Sequence, residues 1–436
     1  MRFALHNWLL QLKQRCRWYL RAFKRRIPPS VFEKAVSLFT RGSMHPSAPY
    51  MPGLYPPGIN LFGLFKSHNG LAQGARLYAT AIKHAKIPHA FLRTALWFDV
   101  GLTETSMDHE LSTDPVYDIN VIHINPDAFL LAKAKMPPKA MDGRYNIGVW
   151  LWELDAIPDQ WHAFFPLFDE IWAPSSFICK SLEPISPIPV TQMPYGIEAP
   201  VDPACTRSTF GFPSDDFLVL AMFDSHSYFS RKNPMAALAA FREAFPDHAC
   251  VKLVLKMNNP SSEDLSRLRA TIGDRGDVIL ITDNLPRKHV NALIACCDVF
   301  ISLHRSEGFG LVMAEAMYLG VPVVATNYSA NTDFMNHEVA CMVDYTLAQA
   351  DYLHAATGQC WADPDVHQAA AFLRMLYENP QICTRYAKLG QDHIRAHYSV
   401  DACGERIRKR VNEIHAVTAP PECAATAGLS CARTAE

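Results

Sequence analysis

Residues 299–325, which read VFISLHRSEGFGLVMAEAMYLGVPVVA, decide the fold. Residues 299–303 are mainly apolar and predict a short strand that is buried on both faces. Residues 311–319 predict a helix, and residues 322–325 predict the next strand. Two glycines lie in the turn between the first strand and the helix. This order is the repeating unit of a parallel α/β sheet, in which ligands bind at the carboxyl ends of the strands.

The same alternation extends in both directions from this segment. In the second half the pattern predicts strands at 217–223, 251–256, 278–281, 299–303 and 322–325, and helices at 234–245, 263–272, 286–296 and 311–319. In the first half it predicts strands at 59–64, 119–124, 145–151, 170–173 and 188–193, and helices at 71–84, 159–168 and from 175. The Pro-rich stretch 194–203 between the halves predicts a hinge. The fold class is therefore α/β, with two doubly wound, Rossmann-like domains that face a central cleft.

The 436 residues divide into five predicted parts. These are a basic leader and linker (1–50), a first Rossmann-like domain (51–200), a second Rossmann-like domain (201–395), a C-terminal helix (396–416) and a disordered tail (417–436).

The leader differs from the rest of the chain in charge. Eight basic residues precede the first acidic residue, Glu33, and apolar residues recur among them at helical spacing. This composition is typical of an amphipathic helix that lies on an anionic membrane surface, here through residues 1–26. The alternative is a helix that packs on its own domain.

Composition excludes other classes of protein. A net charge of −2 argues against a polycation that coats nucleic acid. The 12 cysteines form no C-x-x-C pair, which favours reduced thiols in a cytoplasmic protein over a zinc ribbon or a disulfide scaffold.

The residues that most strongly indicate a ligand site lie in the segment 302–315. Glu307 lies on the glycine turn and Glu315 on the helix, so both carboxylates can accept hydrogen bonds from the hydroxyls of one ligand. The helix start offers free backbone N–H groups to a phosphate. The carboxylates can bind the hydroxyls of a sugar, and the backbone N–H groups can bind a diphosphate. Together they indicate a nucleotide-sugar site.

This segment resembles the E-x7-E signature of GT-B glycosyltransferases of the retaining family 4 (group 1) type, and residues 320–326 (GVPVVAT) match the strand that follows it. The resemblance implies that residues 51–200 form the acceptor-side domain and residues 201–395 the nucleotide-sugar-binding domain. It further implies that Glu307 contacts the donor sugar and Glu315 the ribose. It also implies that the backbone of Gly308, Phe309, Gly310 and Leu311 serves the sugar and the diphosphate.

A second match is the basic loop 230–234, which reads SRKNP. A diphosphate requires cations, and this loop lies at the carboxyl edge of the predicted sheet. The resemblance assigns Lys232 a catalytic and donor-binding role. His226 occupies the approximate place of an expected Arg, so Arg231 or Lys256 is the candidate replacement.

Candidates outside these two segments rest on the same resemblance. Gly70 lies in a turn that resembles the family's first phosphate-binding turn, and Asn331 is a further donor contact. At the end of a first-domain strand, either His123 or Asn125 carries a catalytic, acceptor-side role. Glu153 is a lesser candidate for an acceptor contact.

The implied activity is retaining transfer of a hexose, such as mannose or glucose, from a nucleotide-diphosphate sugar. The implied acceptor is a glycan or a lipid-linked glycan, as in bacterial polysaccharide or lipopolysaccharide assembly. No metal or other cofactor is expected, and the location is cytoplasmic or peripheral on the cytoplasmic face of the membrane. The alternatives are a nucleotide-sugar epimerase, a phosphorylase or a catalytically silent sugar-binding subunit. An NAD-dependent oxidoreductase is disfavoured because no G-x-G-x-x-G follows a strand.

Overall fold

The computed structural model describes residues 45–94, 104–246, 249–351 and 358–418. Its two large sheets are parallel throughout and follow one another along the chain. Two of the predicted parts, the leader up to residue 44 and the tail from residue 419, lie outside the described residues.

The first domain is built on a seven-stranded sheet in the order β3-β2-β1-β4-β5-β6-β7. Its strands are β1 (Ile59–Gly63), β2 (His89–Arg93), β3 (Leu111–Ser112), β4 (Ile119–Ile122), β5 (Tyr145–Val149), β6 (Glu170–Ala173) and β7 (Val190–Gln192). Its α-helices are α1 (Gly70–His84), α2 (Pro126–Lys133) and α3 (Ser176–Leu182).

The second domain has a six-stranded sheet in the order β10-β9-β8-β11-β12-β13. Its strands are β8 (Phe217–Asp224), β9 (Val251–Asn258), β10 (Val278–Ile281), β11 (Val299–Ser302), β12 (Val323–Thr326) and β13 (Cys341–Val343). Its helices are α4 (Phe229–Lys232), α5 (Pro234–Ala244), α6 (Ser262–Ile272), α7 (Arg287–Ala295) and α8 (Leu311–Tyr318).

Both sheets share one topology, in which strand order reverses between the first and fourth strands. The first sheet switches between β1 and β4, and the second between β8 and β11. Loops that leave these neighbouring strands diverge to opposite faces and open a crevice at the carboxyl edge. The topology therefore predicts a ligand site at each switch point.

The burial of the central strands explains why they could be predicted from the sequence. All five residues of β1 and all four residues of β4 and β12 are buried. A strand that is covered by helices on both faces needs apolar side chains at every position rather than at alternate ones.

Within the described residues, three helices follow the second sheet, namely α9 (Val366–Glu378), α10 (Pro380–His397) and α11 (Val400–Thr418). The last one returns to the first domain and packs against α1. A Cβ atom on Gly404 of α11 would lie 2.6 Å from the carbonyl oxygen of Ala81, so this close approach requires glycine. The C-terminal helix predicted at 396–416 thus begins four residues later, after α10 has ended at His397.

A buried carboxylate fixes α11 to the first sheet. Glu170 on β6 is fully buried, and the guanidinium of Arg410 donates to both of its oxygens at 2.9 to 3.2 Å. Trp172, Thr191 and Tyr145 donate further hydrogen bonds to the same carboxylate. A buried charge is tolerated when it is paired and fully hydrogen-bonded, as it is here.

An antiparallel hairpin that the sequence analysis did not predict joins the two domains. It consists of β14 (Tyr345–Gln349) and β15 (Cys360–Pro364). Trp361 on β15 is buried in a hydrophobic cluster that is otherwise built from first-domain residues. The side-chain amide of Gln359 donates to the carbonyl of Ala156 in the first domain at 2.5 Å.

Other differences from the predicted elements have local causes. Asp159–Leu167 forms 3₁₀ rather than α-helix, and it contains Pro166, which cannot donate to a helical ladder. Strands β2, β3 and β13 were not predicted, and of these β3 and β13 have only two and three residues. Strand β9 runs two residues beyond its predicted end at Lys256.

Candidate active site

The two switch points face each other across a cleft of about 450 Å³. Loops after β1 and β4 contribute its first-domain wall, and loops after β8 and β11 contribute its second-domain wall. The lining includes these residues singled out from the sequence: Gly70, Asn125, Glu153, Arg231, Lys232, Glu307, Gly308, Phe309, Gly310, Leu311 and Glu315.

Glu307 lies at the centre of the charged part of this cleft. Its backbone N–H donates to the hydroxyl of Ser329 at 2.8 Å, which fixes the glycine turn. Its carboxylate forms an ion pair with Lys232, and the Arg231 guanidinium lies 3.5 Å from its other oxygen. Burial by itself would raise the pKa of Glu307, but the charges of Lys232 and Arg231 outweigh burial and lower the pKa to about 2. Glu307 is therefore an anion at every physiological pH.

Arg231 connects the two walls of the cleft. Its guanidinium is almost fully buried and lies 3.3 Å from the carboxylate of Glu153, which belongs to the first domain. It also donates to the carbonyl of Ser306 at 2.7 Å. The Ser306 hydroxyl in turn donates to the carbonyl of Glu153. We call the set Glu153, Arg231 and Glu307 the interdomain bridge.

Glu315 lies on α8 and lines the cleft. Its side chain is 1% exposed, and its carboxylate pairs with Arg287 at the start of α7. Arg287 also lines the cleft, and sequence analysis missed it. In the sequence, Arg287 is marked only by its position just after the loop that follows a strand. Many surface arginines have a position of this kind.

The glycine turn gives a ligand access to backbone. Gly310 has φ of 95° and caps the N-terminus of α8, a conformation that favours glycine. The carbonyl of Gly308 accepts a hydrogen bond from the Ser175 hydroxyl at 2.9 Å, so the first domain also holds this turn. The N-terminal N–H groups of α8 lack intrahelical partners and suit an anion.

Gly70 occupies the matching place in the first domain. It is the first residue of α1, where the side chain of Asn69 caps the helix by accepting from the N–H of Ala72 at 2.9 Å. A Cβ atom on Gly70 would meet nothing within 4 Å, because the residue borders the open cleft. The two helix starts, α1 and α8, thus lie on opposite walls.

His123 and Asn125 lie at different depths. His123 is fully buried, its Nε2 lies 2.8 Å from the hydroxyl of Tyr195, and burial lowers its pKa to about 4. Asn125 lines the cleft and bonds through its amide to both the N–H and the carbonyl of Leu151. Tyr195, which lines the cleft, therefore stands between His123 and the open space.

Two other predicted donor contacts are not among the described residues that line the cleft. Lys256 is completely buried, and its ammonium group donates to the side chain of Asn258, which does line the cleft. Burial lowers the pKa of Lys256 to about 8, against the opposing charges of nearby aspartates. The side-chain amide of Asn331 bonds to the carbonyl of Thr326 and lies 3.0 Å from His304. The donor-binding roles of Lys256 and Asn331 stay predictions.

Sequence analysis also missed Arg76 and Glu104 in the first-domain wall. Arg76 on α1 donates to the carbonyls of Phe65 and Ser67 at 2.9 and 3.1 Å. Burial lowers the pKa of Arg76 to about 10. Neither Arg76 nor Glu104 belongs to a recognised motif, although Arg76 follows Gly70 by six positions on the same helix. The side chain of His226 lies outside the described part of the chain.

The comparisons with known proteins agree with this geometry. Residues 212–393 match the family model of glycosyl transferases group 1. A trehalose synthase from Rubrobacter xylanophilus is 24% identical over 174 residues, which cover 38% of this chain and 37% of the relative. A GDP-mannose-dependent alpha-(1-6)-phosphatidylinositol monomannoside mannosyltransferase from Mycolicibacterium smegmatis is 31% identical over 167 residues, covering 36% and 42%. The matches thus span about two fifths of these curated relatives.

Two solved structures cover most of the chain. HepE from Anabaena, in complex with UDP and glucose, has a TM-score of 0.58 at 14% identity, covering 82% of this chain and all of that one. A glycosyltransferase from Rickettsia africae has a TM-score of 0.59 at 13% identity, covering 83% and 99%. The fold is therefore GT-B, as the sequence resemblance implied. Residues 212–393, which make up most of the second domain, are similar to group 1 glycosyl transferases.

Proposed function

We propose that this chain is a retaining glycosyltransferase that moves a hexose from a nucleoside diphosphate sugar to a glycan or lipid-linked glycan. The observation that carries the proposal is the charge cluster at the second switch point, where Lys232 and Arg231 hold Glu307 beside the glycine turn. The family match over residues 212–393 supports the same class. One relative is named as a GDP-mannose-dependent mannosyltransferase, which makes GDP-mannose a first donor to test.

The donor is expected to lie along the second-domain wall. Its diphosphate would face Lys232 and the N-terminus of α8, where a cation and free N–H groups both favour negative charge. Its ribose would reach Glu315, and its sugar would reach the carboxylate of Glu307. Both carboxylates are hydrogen-bond acceptors suited to hydroxyl groups.

Transfer would proceed by attack on the face from which the diphosphate leaves. The acceptor oxygen forms a bond to the anomeric carbon while the bond from that carbon to the phosphate oxygen breaks. The acceptor's proton passes to the departing phosphate oxygen, so no separate base is required. Lys232 stabilises the negative charge that develops on the leaving group, which is often the largest catalytic contribution.

Glu307 is assigned to binding rather than to nucleophilic attack. Two cations hold its carboxylate in place, and its pKa of about 2 makes it a weak nucleophile. We also propose that the reaction needs no metal or other cofactor, because Lys232 and the start of α8 supply the positive charge that a diphosphate requires.

The acceptor would approach from the first-domain wall, near Gly70, Asn125 and Glu153. The proposed location is the cytoplasm, with peripheral attachment to the membrane through residues 1–26. Among the described residues, no helix combines the length and the apolar character that crossing a bilayer requires.

Thermal unfolding with a panel of UDP-, GDP-, ADP- and dTDP-sugars tests the donor site. One donor is expected to raise the melting temperature, because a ligand present at 100 times its Kd stabilises the folded state by about 2.7 kcal/mol. The shift is expected to disappear in Glu315→Gln and to persist in Glu338→Gln, a matched change at an exposed position of the same domain. Absence of a shift with every donor would contradict the proposal.

Product analysis separates the alternatives. Transfer with retention gives a new glycoside whose anomeric configuration, read by NMR, equals that of the donor. An isomerised donor without acceptor indicates an epimerase, and a sugar phosphate formed with inorganic phosphate indicates a phosphorylase. Donor binding without any turnover indicates a silent subunit.

Membrane attachment has its own test. The full chain is expected to sediment with vesicles that contain anionic lipid, and a chain lacking residues 1–30 is expected to stay in the supernatant. Attraction between basic residues and an anionic surface is screened by salt, so binding should weaken as the salt concentration rises. Equal sedimentation of both chains would overturn this part of the proposal.

A further inference from the structure

A second group of reactive side chains lies outside the cleft. Asp202 and Cys205 belong to the linker between the domains, and His289 lies in the first turn of α7. One ligand atom from each residue lies within 4.8 Å of those of the other two. The Nε2 atom of His289 is 3.4 Å from Oδ2 of Asp202. All three residues are half-buried.

A hydrogen-bonded turn joins Asp202 and Cys205. The N–H of Cys205 donates to the carbonyl of Asp202 at 3.0 Å, which closes a turn. Within this turn the N–H of Ala204 donates to Oδ1 of Asp202 at 3.0 Å. The other carboxylate oxygen, Oδ2, is the one that faces His289.

The linker and α7 are also joined beside the cluster. The side-chain amide of Asn291 on α7 donates to the carbonyl of Pro200 at 2.8 Å. The N–H of Asp202 donates to the carbonyl of Lys288 at 3.4 Å. The two segments are therefore held together by contacts that do not use the side-chain atoms of the three candidate ligands.

We propose that Asp202, Cys205 and His289 form a binding site for a borderline-soft divalent cation of the Zn²⁺ type. A thiolate, an imidazole and a carboxylate are the three ligand types that zinc binds in proteins. Magnesium and calcium prefer oxygen ligands, so this mixed set disfavours them. In a tetrahedral site, nitrogen and oxygen ligands about 2.0–2.1 Å from the ion lie about 3.4 Å apart, which is the spacing found between His289 and Asp202.

The ion would have three protein ligands and a fourth position open to water. Binding requires that the thiol of Cys205 lose its proton, which passes to solvent. The bound ion would link the interdomain linker to α7, the helix whose first residue, Arg287, contacts Glu315 in the cleft. Sequence analysis missed this site because His289 lies far along the chain from the other two ligands.

Metal titration of the purified, chelator-treated full chain tests the proposal. We expect one equivalent of Zn²⁺ to bind, measured by competition with a chromophoric chelator. Co²⁺ in the same site is expected to give a thiolate-to-metal charge-transfer absorption band. Cys205→Ser should abolish the band, and His289→Ala should weaken Zn²⁺ binding at least tenfold. Asp202→Asn should weaken it as well.

Two matched variants control for adventitious binding. Cys250→Ser removes an exposed cysteine elsewhere, and His367→Ala removes an exposed imidazole that lies 2.9 Å from Glu243. Both should leave the band and the affinity unchanged. No thiolate band, a band that persists in Cys205→Ser, or unchanged affinity in His289→Ala would each overturn the proposal. Cys205→Ala and His289→Asn, checked by circular dichroism, serve if either first variant misfolds. The readout is metal binding, so the result is independent of the proposed transferase activity.

Discussion

Replacing Lys232 with methionine is expected to lower the turnover number for sugar transfer by about 10²–10³-fold. The lysine has two roles in the proposed mechanism. It neutralises the diphosphate as it leaves, and it pairs with the buried carboxylate of Glu307. Methionine keeps most of the side-chain volume, so the effect reports the charge. Steady-state kinetics with the identified donor measures it.

The same variant is expected to change the pH dependence of activity. Burial raises the pKa of Glu307, and Lys232 is the strongest of the charges that lower it. Without that cation the pKa rises, so the carboxylate becomes protonated at a higher pH. The acid limb of the pH–rate profile should therefore move toward neutrality in Lys232→Met.

A matched control for this experiment is Lys288→Met. Lys288 is exposed and follows Arg287 directly, but it is not among the described residues that line the cleft. Its replacement removes one positive charge close to the site and should leave turnover within about twofold, as expected for an exposed charge. If Lys232→Met retained turnover within about threefold of the unmodified chain, the assigned role of Lys232 would be wrong.

Replacing Arg410 with methionine is expected to destabilise the chain by about 3–5 kcal/mol. The change leaves the fully buried carboxylate of Glu170 without its charged partner. It also removes one of the contacts that hold α11 against the first domain, while the packing of α11 on α1 remains. Urea unfolding followed by circular dichroism measures it.

Two further variants identify the cause of this loss. Arg408→Met removes an arginine from the same helix whose partner, Glu405, is exposed, and it should cost less than about 1 kcal/mol. Glu170→Gln combined with Arg410→Met should recover part of the stability, because no buried charge is then left unpaired. If Arg408→Met and Arg410→Met lowered the free energy of unfolding equally, the cause would be a lower helix propensity and not the unpaired carboxylate of Glu170.

The fold was largely predictable from sequence because the central strands are continuous runs of apolar residues. Residues 299–325 contain a buried strand, a glycine turn, a helix and another strand, and each appears in the structure. The edge strands β3 and β13 are only two and three residues long and contain no such run. The hairpin of β14 and β15 was missed because Trp361 packs on a distant domain, and no local pattern encodes such a partner.

The candidate site was predictable only in part, for a similar reason. Glu307 and Lys232 follow switch-point strands, so their meeting follows from topology. His123 also ends such a strand, but Tyr195 from the interdomain segment covers it. The contact between Arg231 and Glu153 joins residues 78 positions apart in different domains. Periodicity gives no information about contacts of this kind.

The interdomain bridge limits how the chain can be recombined. Donor and acceptor domains of a two-domain transferase look exchangeable, because each has its own sheet. Here Glu153 from one domain contacts the arginine that also contacts Glu307 in the other. A chimera that takes its first domain from elsewhere would leave the buried Arg231 with one of its two carboxylate partners, Glu307, unless the incoming domain supplies a carboxylate at the place of Glu153. Engineering a new acceptor preference by domain exchange should therefore transplant Glu153 together with the second domain.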